Sequence, residues 1–323
     1  MLRANGLFGI LSMTTILEAI QSGAKQLTDA KVAFGHGTTN AFDEAAWLVL
    51  WKVGLPLDSS LDDPKDNPDS VANKSLAVDL IASIATLFIA RIQSRKPAAY
   101  LTQEAWLQGI PFYIDDRAIV PRSFIAELLA DGSFDDWLGP HTKRVLDLCT
   151  GNGSLAVLAA MTYPETTVVG ADISTDALAV ARINVNKHGL LDRIRLVESD
   201  SWAGLKDEGN QALRNQPLIF DLILCNPPYV NSASMAALPA EYLAEPPLAL
   251  AGGTDGMDFI RGLLSAAPLH MSEHAVMILE IGNERAYFEA AFPDLEIVWL
   301  ETSAGADSVL LITKAALDHV FSA

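Results

Sequence analysis

"RVLDLCTGNGSLA", residues 144–156, runs from one apolar stretch to another through Cys149-Thr150-Gly151-Asn152-Gly153. The first stretch reads as a strand and the second, "SLAVLAAMTYP", as a helix. Glycines between them permit a tight turn and let a ligand approach the backbone. The same alternation continues downstream. "TVVGADI" is a second strand, and "STDALAVARINVNKHG" a helix with Ser174 or Thr175 at its start and Gly189 at its end. "RIRLVESD" and "FDLILCN" are the third and fourth strands, "DGMDFIRGLLSAAPLHM" a helix and "AVMILEIG" a fifth strand. The end, "LEIVWLETSAGADSVLLITK", holds two strands whose short connection at Gly305 favours an antiparallel pair. Strands alternating with helices predict an α/β, Rossmann-like domain with a mostly parallel seven-stranded sheet.

The carboxyl ends of parallel strands open on one crevice. Four features therefore converge there: the Gly151/Gly153 loop, Asp172 at the end of the second strand, Asp200 at the end of the third, and Asn226 at the end of the fourth. A carboxylate at 172 can accept both ribose hydroxyls of a nucleoside cofactor. The pattern Gly151-x-Gly153-x-x-Ala156 also fits the relaxed dinucleotide fingerprint of a nicotinamide enzyme, or a glycine turn that serves packing alone. Asp200, which can take an adenine amino group, and Trp202, which can lie near the ring, tilt the reading towards S-adenosylmethionine.

The fourth strand carries the most specific signal. "LILCNPPYVN", residues 222–231, stops a core strand at Asn226-Pro227-Pro228-Tyr229. Adjacent prolines hold the backbone stiff and donate no hydrogen bonds. The Asn226 side-chain oxygen and the Pro227 carbonyl can each accept one N–H of an amide or aromatic amino group. That grip turns the nitrogen lone pair towards an activated methyl group, while Tyr229 packs over the planar target. Orientation and preformed dipoles supply the rate, so no histidine is nominated as a base. A strand-ending turn is the plain alternative.

Upstream, residues 13–95 read as helices. Asn40 is an N-cap with Asp43 as an approximate capping box, "LDDPKDNPDS" is a loop, and a long helix ends before Pro97. Residues 1–13 are expected to fray. "AYLTQEAWLQGIPFYIDDRAIVP" predicts a β-hairpin. Phe42, Trp47 and Trp51 lie at helical spacing and are expected in the core. With 40 acidic and 22 basic residues the net charge is −18, which disfavours binding to a phosphate backbone and suits either a basic protein partner or solubility alone. Two cysteines, Cys149 and Cys225, and six scattered histidines show no metal-ligand spacing, and reduced thiols fit the cytoplasm. No stretch is long and apolar enough to span a membrane.

Several stretches together resemble the glutamine amide methyltransferases, in the branch that modifies protein three of the large ribosomal subunit. They are "DLCTGNG", "NPPYV", "PRSFIAELL", "AAYLTQEAWLQGIPFYID" and "LPAEYLAEPPLALAGGTDGMD". "FGHGTTNAFDEAAWLVLWKVGLPLD" resembles that branch in particular, as against the sister enzymes that act on peptide-chain release factors. The N-P-P-Y tetrapeptide is shared with enzymes that methylate amino groups of adenine or guanine. The resemblance implies a class I methyltransferase domain at 122–323, a helical substrate-positioning domain at 1–98 and a hairpin linker at 99–121. It implies that Cys149, Thr150, Gly151, Asn152, Gly153, Asp172, Asp200, Ser201, Trp202 and Asn226 hold S-adenosyl-L-methionine, and that Asn226, Pro227, Pro228 and Tyr229 hold the glutamine. The product would be S-adenosyl-L-homocysteine, with no metal and no direct reading of nucleic acid. Arg122 and Glu127 either close over the methionine end of the cofactor or form an ion pair at the start of a helix. Glu241 and Glu245 either meet a basic substrate or belong to a structural loop. The family pattern places a proline after Ser123, where this chain has Phe124.

Overall fold

The computed structural model describes residues 15–63, 65–206 and 216–321. The expectation for residues 1–13 lies outside them. The chain divides into two compact units, one holding the chain up to Glu104 together with Pro239–Ala244, the other Ala105–Leu238 and Glu245 onward.

The first unit is helical. Helix α1 (Ile16–Asp29) starts on Thr15, whose hydroxyl accepts the Glu18 amide while Glu18 returns to the Thr15 amide, a complete capping box. Helix α2 (Ala41–Val53) starts on Asn40, which accepts the Asp43 amide. The Asp43 carboxylate takes the Asn40 side-chain amide instead of its backbone, so that box closes through side chains. Helix α3 (Val78–Ser94) follows. Gly23 of α1 lies against the Phe88 ring of α3, and any side chain there would overlap it. Trp47 is buried and Trp51 half-buried, but Phe42 is 41% exposed and does not join the core.

The interior of this unit contains an ion network. Arg91, wholly buried, bonds Glu44 at 2.8 Å and Glu241 at 3.5 Å, and Arg95 bonds Glu241 at 3.0 Å. Burial raises the Glu44 carboxyl above its ordinary range, against the pull of Arg91. Residues 98–102, expected in the hairpin from Ala99 on, form instead the short helix α4 (Ala98–Thr102). Pro97 stands at its start, and the Thr102 hydroxyl folds back on the Ala98 carbonyl. The hairpin itself is β1 (Glu104–Leu107) and β2 (Ile110–Tyr113). Gln108 and Gly109 both have positive φ, 49° and 72°, the geometry of a two-residue primed turn.

The second unit is built on seven strands: β3 (Arg144–Leu148), β4 (Thr167–Asp172), β5 (Ile194–Glu198), β6 (Phe220–Cys225), β7 (Met271–Glu280), β8 (Val298–Thr302) and β9 (Gly305–Thr313). Their order is β5-β4-β3-β6-β7-β9-β8. The first five are mutually parallel; β9 runs antiparallel to β7 and to β8. Helices α5 (Ile125–Asp131), α6 (Ser154–Thr162) and α7 (Thr175–Lys187) supply one apolar layer, in which Leu128, Val157 and Val185 meet Val145, Leu222 and Ile278. On the other face Leu146, Ile223 and Met277 meet helices Asp258–Ala266 and Lys314–Phe321. Between β3 and β6 the strand order reverses, which opens a crevice at their carboxyl ends.

Candidate active site

Adjacent parallel strands bring the two sequence motifs together. Leu148 of β3 pairs with Cys225 of β6, so the glycine loop and the proline loop leave the sheet side by side. In the glycine loop Cys149, Gly151 and Gly153 all take positive φ, 61°, 54° and 80°. A cysteine there carries backbone strain that the loop must hold in place. The Thr150 amide does so by donating to the Ala171 carbonyl of β4 at 2.9 Å. The two glycines serve different ends. A Cβ on Gly153 would stand 2.9 Å from Ala181 Cβ, so it permits α6 to pack on α7. A Cβ on Gly151 would meet nothing nearer than the Cys149 oxygen at 4.0 Å, which leaves that backbone open to a ligand.

The remaining loop side chains turn inward. Thr150 Oγ1 donates to Asp147 Oδ2 at 2.5 Å, and the Ala156 amide donates to the same oxygen at 2.9 Å. Asn152 donates to the Ile119 carbonyl at 2.8 Å and accepts the Ser154 amide at 3.0 Å. Asp147 is wholly buried, its Oδ1 has no hydrogen-bond partner among the described residues, and burial pushes its carboxyl up to about 7. Sequence reading passed over Asp147, although a lone acid inside an apolar strand is a signal of a perturbed group.

Asp172 ends β4 with both oxygens engaged: Oδ2 accepts the Gly151 amide at 2.8 Å and Oδ1 the Ser174 amide at 2.9 Å. Burial raises its carboxyl, partly offset by those amides. Each oxygen keeps a second lone pair. Asp200 is exposed beyond β5, and its carboxylate makes no hydrogen bond among the described residues. Ser201 has φ 48° and a buried hydroxyl without a partner among them. Trp202 packs inward. Its indole is 8% exposed, donates to the Leu263 carbonyl at 3.1 Å and stacks on His270 at 4.5 Å.

In the proline loop, neither the Asn226 carboxamide nor the Pro227 carbonyl makes a hydrogen bond among the described residues. The chain is fixed just beyond. Val230 exchanges backbone bonds with Leu250 and Gly252, and Asn231 donates to Glu284 at 2.8 Å. Tyr229 is enclosed. A Cβ on Gly252 would stand 2.7 Å from its Cα, one on Gly282 2.5 Å from its ring, and one on Gly256 would overlap its carbonyl oxygen. The phenol donates to Glu280 Oε1 at 3.3 Å. Burial and the neighbouring carboxylate push that phenol well above its ordinary range.

Arg122 and Glu127 do not pair with each other. Arg122 forms a two-pronged ion pair with Glu245, at 2.6 and 2.7 Å, and Glu127 accepts the Ser303 amide and hydroxyl. The Glu245 side chain is buried and also takes the Val120 amide at 2.9 Å, while Glu241 is bound by Arg91 and Arg95. Both acids thus have structural partners and are not presented to a basic substrate. Cys225 is buried against Cys149, and burial pushes its thiol up, as suits a packing residue. Among the described residues no cluster of histidine, cysteine and acidic side chains could hold a metal ion, and no helix is long and apolar enough to cross a membrane.

Comparison with known proteins adds a consistent set of relatives. Residues 127–253 match the methyltransferase small domain family. A ribosomal protein uL3 glutamine methyltransferase of Bordetella pertussis is 46% identical over 95% of this chain and 97% of that protein. The enzyme of the same name from Burkholderia pseudomallei is 46% identical over 95% and 96%, and that from Bradyrhizobium diazoefficiens 40% over 95% and 92%.

Proposed function

The chain belongs to the family of ribosomal protein uL3 glutamine methyltransferases, and we propose that it methylates the side-chain amide nitrogen of a glutamine in that ribosomal protein. S-adenosyl-L-methionine supplies the methyl group, as an electrophilic carbon on a sulfonium. The open backbone at Gly151, the engaged but unsaturated carboxylate of Asp172, the exposed Asp200 and the unpartnered hydroxyl of Ser201 fit a nucleoside with ribose hydroxyls and an amino group. Cys149, Thr150, Asn152 and Gly153 hold the loop in that shape.

The observation that carries the reading is a pair of acceptors, the Asn226 oxygen and the Pro227 carbonyl, that make no hydrogen bond among the described residues and lie one strand from the glycine loop. Two acceptors grip the two hydrogens of a carboxamide. Its lone pair, otherwise delocalised, is then directed out of the amide plane, and a proton leaves after the new bond forms. Tyr229 and Pro228 form the wall against which the planar group lies. Precise placement in a preformed dipolar site is worth several kcal/mol of barrier, up to about 7–11 kcal/mol for ideal orientation.

The helical segment at 1–98 would position the protein substrate, with the hairpin at 99–121 as linker to the catalytic domain at 122–323. Net charge −18 suits a basic ribosomal protein, and the reaction belongs in the cytoplasm. The test is methyl labelling of purified uL3, followed by mass mapping of the acceptor. N5-methylglutamine on uL3 is expected. Label confined to a release factor or to an amino group of RNA would overturn the assignment.

A further inference from the structure

Glu280 is the last residue of β7, and it follows Leu279, which pairs with Cys225. It therefore stands beside Asn226 at the mouth of the sheet. Its side chain is not exposed there. Glu280 is 2% accessible and collects three donors: the Ser123 hydroxyl at 2.5 Å, the Phe124 amide at 2.9 Å and the Tyr229 phenol at 3.3 Å. The Phe124 bond needs a backbone N–H, which a proline at 124 would lack.

A buried carboxylate is costly unless its lone pairs are used. Here they are used to join two loops. One is the 120–124 loop, anchored separately through Arg122 and Glu245. The other is the proline loop, whose tyrosine is pressed by Gly282 on the ring and by Gly252 and Gly256 on the backbone. The glycines limit where Tyr229 can go; the carboxylate fixes where its tip points.

We propose that Glu280 is a positioning residue for methyl transfer, acting through the Tyr229 phenol to set the ring face on which the substrate carboxamide lies. This rests on the function proposed above. Glu280 itself touches neither substrate nor cofactor. Its effect passes through one hydrogen bond, so removing either end of that bond must remove the same thing.

The experiment is a double-mutant cycle on the full-length protein with uL3 as acceptor, using Glu280→Gln, Tyr229→Phe and the double variant. Glutamine keeps the shape and can still accept from Ser123 and Phe124. Each single variant should lower kcat by about tenfold with cofactor affinity unchanged, and the double variant should fall no further than the worse single. Independent losses that multiply, or a Glu280→Gln enzyme at wild-type rate, would overturn the proposal. A second readout needs no acceptor. With 3-fluorotyrosine incorporated at the six tyrosines, the Tyr229 fluorine line is assigned by its loss in Tyr229→Phe. That line should shift and broaden in Glu280→Gln while the others stay; an unmoved line refutes the contact. Wild-type protein that fails to methylate uL3 would sink the functional reading, whereas the fluorine spectrum still judges Glu280. Should Glu280→Gln not fold, Glu280→Asp withdraws the carboxylate by one carbon and the same readouts apply.

Discussion

Asn226→Ala separates catalysis from stability. In the folded protein the Asn226 carboxamide is half-buried and makes no hydrogen bond among the described residues. Truncating it breaks no native bond and leaves no partner stranded, so the folding free energy should change by about 0.5 kcal/mol or less. On the proposed mechanism, the transition state loses one of two acceptors that orient the nitrogen. By analogy with the removal of one oxyanion-hole group, that costs about 3 kcal/mol, or roughly a hundredfold in kcat. Cofactor affinity should hold within about threefold, since Gly151 and Asp172 are untouched. The assay is methyl transfer to uL3 at saturating cofactor, beside isothermal titration and thermal melting of the same preparations. A kcat within about threefold of wild type would remove Asn226 from the chemistry. A lost rate accompanied by a large fall in melting temperature would mean that the side chain is structural after all.

Asp172→Ala removes the acceptor of two loop amides and, on the proposed cofactor site, of the ribose, so cofactor Kd should rise by about thirtyfold, roughly 2 kcal/mol, with kcat at saturation less affected; titration calorimetry decides it. Asp147 holds its proton to about pH 7 when folded, against 3.8 when unfolded. The unfolded chain therefore gives up that proton first as pH rises. The stability Asp147 contributes is greatest below pH 4 and falls by a few kcal/mol as pH climbs to about 7, since a tenfold change in proton activity is worth about 1.4 kcal/mol. Denaturant melts of wild type and Asp147→Asn at pH 5 and 8 should show a smaller pH dependence in the variant. Arg91→Ala strands the buried Glu44, while Glu241 keeps Arg95, and should destabilise the helical unit by about 3 kcal/mol or more, read by circular dichroism on chemical denaturation. A variant as stable as wild type would show that the network carries no net stability.

The alternation of short strands and helices after Lys143, and the turn residues between them, were enough to place seven strands and to put the glycine and proline motifs at strand ends. Those features are local: an apolar run, a cap, a proline pair. Boundaries shifted at Ala98–Thr102, where a helical turn forms from residues that also alternate by two, and at Met271, which begins β7 four residues before the expected start of that strand. The placement of Asn226 and Asp172 at strand ends was legible for the same reason, since β6 closes at Cys225 and β4 at Asp172.

What each polar side chain faces was decided by packing between segments far apart in the chain. Trp202 went into the core because Leu263 and His270 lie across from it, 61 residues away in the first case. Arg122 found Glu245, 123 residues on, and Glu127 found Ser303, 176 residues on. Glu280, an unremarked acid at the close of an apolar strand, became the meeting point of Ser123, Phe124 and Tyr229. A sequence records which groups must be satisfied when buried. Only the closed fold, where desolvation makes an unpaired charge expensive, selects which partner satisfies each one.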